Sequence, residues 1–165
     1  METKSNFNIF CKKISNPFFQ KIFLFTKLPS AFFSGVKAVY INEKNCEVTV
    51  PYKWFSQNPF GSTYFACLAM AAEMSTGLFA FGHCYKRTPQ VSMLVGNMQG
   101  TYHKKAKGKT FFTCADGEAI AAIIDKAITT GESQTITAKS TGKNAAGELV
   151  AEFNFTWSFK AKANK

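Results

Sequence analysis

At 165 residues the chain has the length of one domain, and with 46% hydrophobic and 18% charged residues it can build a core, which excludes a disordered segment. Its formal charge of +10 points to an anionic partner (nucleic acid, an acidic membrane surface, coenzyme A or an acidic carrier protein) or to a solvated basic surface; the positive residues are scattered and include a single arginine, Arg87, so there is no nucleic-acid fingerprint of aromatics set among arginines. Five cysteines, an odd number without CxxC spacing, argue against both a zinc site and a disulfide framework and fit free thiols in a reducing cytoplasm.

Residues 6–28 have helical character, with Phe7, Phe10, Cys11, Ile14 and Phe18 near one face. Asn16-Pro17 breaks or restarts this helix, and Pro29 ends it. Packing on the protein's own sheet is the preferred reading of the segment. Its lysines alternate with aromatics, so a peripheral membrane helix is the lesser one. Interruption of the apolar patch Phe18 to Phe25 by Lys21, with no small-residue cleavage site after it, makes a poor signal peptide.

Strands are expected at Gly35 to Ile41 and Glu47 to Tyr52, joined by a turn at Asn42 to Asn45. Further strands are expected at Val91 to His103 and Lys109 to Ala115. Asp116 reads as the N-cap of a helix whose stripe is Ile120, Ile123, Ile124, Ala127 and Ile128 and which stops at Gly131. Gln134 to Ser140 and Leu149 to Lys160 form a hairpin around Gly142 to Gly147. In its second strand Phe153, Phe155, Trp157 and Phe159 alternate with Glu152, Asn154, Thr156 and Ser158, a pattern that needs one dry face.

The stretch from Trp54 to Tyr85 contains no Lys, Arg or Asp, and Glu73 is its only acid. Ala, Leu and Met predict a helix from Ser62, as its cap, to about Gly82, after the turn Asn58-Pro59-Phe60-Gly61. Such a helix is apolar nearly all round and must be buried or span a membrane. A mid-helix Glu, many small residues and half-wet strands on both sides favour a soluble helix wrapped by a curved antiparallel sheet. An isolated acid in dry surroundings has a raised pKa, a buried partner or a wet cleft, and is a catalytic candidate or a structural Glu.

Asn58-Pro59-Phe60-Gly61-Ser62-Thr63-Tyr64-Phe65, with Glu73 fifteen positions after Asn58, resembles the hot-dog thioesterase superfamily. The similarity is to the phenylacetyl-CoA thioesterase-like proteins and a sister branch with an Asn-Pro-Phe-Gly segment, and it covers the chain from about Gly35 onward. The resemblance implies an α+β hot-dog fold over one domain, 1–165, with residues 1–30 as an N-terminal helical extension. It implies Glu73 as general base or nucleophile, Asn58 positioning water or the substrate carbonyl, and Gly61, Tyr64 and Phe65 at the substrate. The implied activity is hydrolysis of acyl-CoA or acyl-carrier-protein thioesters, without metal or cofactor, in a homodimer or tetramer with sites shared between chains. Tyr64 stands where many relatives carry His, and Phe65-Ala66 where they carry Gly-Gly. The alternative is therefore a non-catalytic acyl-binding module of the same fold. A hot-dog hydratase ranks last, because neither His83 nor His103 stands near Asn58 or Glu73 in sequence.

Overall fold

Alternation of large apolar and polar residues along the last strand decides where the core lies. The computed structural model describes residues 2–162, with side chains from Asn6. Strand β6 (Leu149–Ala161) turns Phe153, Phe155, Trp157 and Phe159 inward, each at most 3% exposed. It lies between β5 (Gln134–Asn144) and β3 (Val91–Tyr102) in a six-stranded curved sheet of order β1-β2-β4-β5-β6-β3, with β1 at Lys37–Ile41, β2 at Cys46–Val50 and β4 at Thr110–Cys114. Every neighbouring pair is antiparallel. The sheet wraps a long helix, α4 (Phe65–Cys84), which is expected of an element apolar on nearly every side.

The N-terminal helices come first in the chain. Helix α1 (Glu2–Ser15) buries Phe7, Phe10 and Ile14, and the rings of Phe7 and Phe10 sit where a Cβ at Gly82 of α4 would fall. Asn16 breaks the chain as expected, its Oδ1 accepting from the Phe18 and Phe19 amides to cap α2 (Pro17–Lys27). Pro29 ends α2 and also opens a short helix, α3 (Pro29–Ser34), since a proline at a first helical position loses no hydrogen bond. Helix α5 (Gly117–Thr130) packs Ile120, Ile124 and Ala127 against α4 and the sheet, and stops at Gly131.

Three expectations need correction. Ser62 does not cap α4. The Thr63 amide and hydroxyl both donate to the Ala106 carbonyl, which holds this segment extended and delays the helix to Phe65, with Tyr64 as an N-cap that makes no side-chain bond. Asp116 stands at the N-cap of α5 as expected, its carbonyl accepting from the Ile120 amide, but its carboxylate does not cap the helix and accepts instead from the Lys139 amide at 2.7 Å. Gly142 is a strand residue rather than part of the turn; a Cβ there would lie 2.3 Å from the ring of Phe112, so this position keeps space for that ring.

Candidate active site

Sheet and α5 cover one side of α4 and leave a stripe half-open, comprising Phe65, Ala66, Ala69, Met70, Glu73 and Phe81. Glu73 borders a cavity of about 380 Å³ walled by Met74, Leu78, Phe81 and Met93, and by Phe23, Lys27 and Leu28 from the N-terminal helical region. Burial pushes its carboxyl from the ordinary 4.5 up to about 7. Among the described residues, no hydrogen-bond donor or cation pairs with that carboxyl. The backbone beneath it is fixed. Thr76 Oγ1 donates to the Glu73 carbonyl at 2.9 Å and accepts from Trp157 Nε1 at 3.0 Å. A carboxyl group that is partly ionised near neutral pH beside an apolar cavity has what a general base or nucleophile requires.

Gly77, one turn further on, gives that carboxyl its room. A Cβ at Gly77 would stand 2.8 Å from Glu73 Oε1 and 3.3 Å from Trp157 Cζ2. Gly77→Ala should therefore swing the carboxyl away with little loss of fold. For the hydrolysis proposed below, the expected result is a fall in kcat of about 100-fold, since displacements near 1 Å carry that cost, with a thermal midpoint close to wild type. Steady-state kinetics beside a melting curve check it.

Asn58 lies at the other end of α4, on a second cavity of about 570 Å³ with Tyr64, Phe65, Tyr102, His103 and Lys105. Its amide organises its own loop: Oδ1 accepts from the Phe60 and Ser62 amides, and Nδ2 donates to Ser62 Oγ. Gly61 takes φ +72, a turn conformation that glycine adopts without strain. The Tyr64 amide donates to the Ser56 carbonyl at 2.7 Å. The Phe65 and Ala66 amides, with no acceptor among the described residues, are the donors left at the positive end of the helix.

A single chain thus keeps Glu73 and Asn58 on separate cavities, as the spacing along the helix requires. His83 stacks on Phe7 with centroids 4.0 Å apart, away from both Asn58 and Glu73, and burial pushes its imidazole down to about 4. His103 was set aside on sequence, yet the fold brings it to the Asn58 cavity, where Nε2 sits 3.1 Å from Glu152 Oε2. Lys27, Phe23 and Leu28 were missed as part of the Glu73 cavity, because no local pattern pairs α2 with α4.

Residues 19–159 match the family model described as "Domain of unknown function (DUF4442)". The chain belongs to the DUF4442 family. No curated protein matches it. Among solved structures similar to this DUF4442 chain is PA5026 from Pseudomonas aeruginosa, a protein of unknown function whose name adds "Probable Thioesterase". It aligns with a TM-score of 0.73 at 20% identity, over 88% of this chain and 97% of its own. OLEI01261 from Chlorobaculum tepidum, of unknown function, gives 0.74 at 18% identity over 86% and 92%. Thioesterase HI1161 from Haemophilus influenzae gives 0.64 at 13% over 85% and 88%. The DUF4442 chain shares the hot-dog fold of these structures.

Proposed function

We propose that this protein hydrolyses acyl thioesters of coenzyme A or acyl-carrier protein at sites shared between two copies of the chain. The observation that carries the reading is Glu73, an acid without a partner among the described residues, raised toward neutrality and lodged beside an apolar cavity. Ionised Glu73 takes a proton from water, and the resulting hydroxide attacks the thioester carbonyl. The oxyanion of the tetrahedral adduct accepts hydrogen bonds from the free Phe65 and Ala66 amides. Collapse of the adduct expels the thiolate, which recovers the proton from Glu73.

Those amides begin α4, and Glu73 lies eight residues along it, about 12 Å at the helical rise, so one carbonyl cannot meet both within a single chain. Two antiparallel copies of α4 solve this by setting Glu73 of each against the helix start of the other. Support comes from β3, the edge strand beside the open stripe. Met98 and Tyr102 pair with Phe155 and Ala151 and so face the helix side, yet remain 48% and 46% exposed. Lys105, at the mouth of the Asn58 cavity, is suited to a coenzyme A phosphate.

Release of free thiol from a panel of acyl-CoAs tests hydrolysis, and mixing inactive variants tests the shared site. Glu73→Ala should be inactive alone, and so should Asn58→Ala, which removes the hydrogen bonds to Phe60 and Ser62 that set the loop before the Phe65 and Ala66 amides; a refolded equimolar mixture should recover about a quarter of wild-type activity, because half the dimers then hold one intact site of two. No thiol release from any chain length would leave the non-catalytic acyl-binding module, a reading favoured by the Asn58 amide being committed to its own loop.

A further inference from the structure

We infer that the N-terminal face is a docking surface for anionic phospholipid membranes, independent of whether Glu73 hydrolyses anything. Residues 3–42 contain six lysines and no Asp or Glu. Lys12, Lys21 and Lys27 are exposed, and no ion pair among the described residues involves them. Among these lysines stands a surface of aromatic side chains that the fold leaves uncovered. Helix α2 buries only Gln20 and Leu24, while Phe18, Ile22 and Phe25 share its outer side at helical spacing, 74%, 48% and 55% exposed.

Two further segments extend that side into one ridge. Phe25 of α2 meets Phe33 of α3 at 6.3 Å, Phe33 meets Phe55 at 5.5 Å, and Phe55 meets Trp54 at 4.7 Å between ring centroids. Trp54 is 74% exposed. Aromatic and aliphatic side chains on one face with Lys21 beside them, in a segment whose charges are all positive, are the makings of an in-plane interfacial helix, and tryptophan is favoured at headgroup depth.

Charge decides the occupant. A two-fold contact between copies of this face would set lysine against lysine with no carboxylate in the segment to neutralise them, which is unfavourable. Phosphate-rich lipid headgroups supply that charge, while the acyl region takes up the rings.

Sedimentation with vesicles of phosphatidylcholine carrying about 30% phosphatidylglycerol should pull the protein down, and vesicles of phosphatidylcholine alone should not. Trp157 is 3% exposed and Trp54 lies on the ridge, so the emission of Trp54 should shift to the blue with the anionic vesicles, and Trp54→Phe should abolish the shift. Phe18→Ser with Phe25→Ser should weaken binding about tenfold or more, and Lys12→Glu with Lys21→Glu should abolish the preference for anionic lipid. No vesicle binding by wild type, with Trp54 emission unmoved, overturns the proposal. So does a lipid-free phenylalanine variant whose assembly falls to half the wild-type mass, because the face is then a contact between copies.

Discussion

Glu73→Gln is expected to lower kcat for acyl-thioester hydrolysis by about 10²- to 10⁴-fold with KM nearly unchanged, because an amide fits the same space and cannot take a proton from water. Wild-type hydrolysis should rise with pH through about 7, where burial has placed the carboxyl, since the ionised form is the base. Stability should run the other way. Below 4.5 both the folded and unfolded chains hold this proton. Between 4.5 and about 7 the unfolded chain gives it up and the folded chain keeps it, so stability falls with rising pH by about 3 kcal/mol and then levels off. Glu73→Gln should lack that slope, and the two unfolding curves should separate toward pH 8 with the variant the more stable. Denaturant titrations at pH 5 and pH 8, beside initial rates, test both halves. A Gln variant as active as wild type would remove Glu73 from the chemistry, and an identical pH dependence of stability would remove the buried, partnerless carboxyl.

Phe153→Ala should cost about 3–5 kcal/mol, a large share of the 5–15 kcal/mol usual for a domain. The ring is fully buried under α4. It meets Phe112 at 5.8 Å, Phe155 at 6.0 Å and Tyr102 at 5.5 Å between centroids. It also occupies the space that a Cβ at Gly100 would enter, 2.6 Å away on β3. Its removal therefore opens a cavity where β3, β6 and β4 are held together, and relaxation of three strands cannot fill it. A lower urea midpoint with an unchanged slope against denaturant checks the loss. Since Tyr102 reaches both Phe153 and the Asn58 cavity, the variant should also blunt activity at temperatures where it remains folded.

The sequence by itself determined the elements whose patterns are local. Phe153, Phe155, Trp157 and Phe159 marked their strand because every second side chain must leave water. The α4 segment marked a core helix because nothing on it could face solvent, and Glu73 stood out as the one acid there. Asn16-Pro17 and Gly131 marked helix ends through chemistry confined to a few neighbouring atoms. Tertiary structure decided everything that depends on distant backbone. Ser62 was denied the helix cap because Ala106, over forty residues away, claims Thr63 and keeps the chain extended. Asp116 was drawn to the Lys139 amide for a similar reason, and the Tyr64 amide to Ser56. Only the fold could bring Phe23, Lys27 and Leu28 over Glu73, or join Phe25, Phe33, Phe55 and Trp54 into one ridge, because hydrophobic contact has no direction along the chain and the partners share no period.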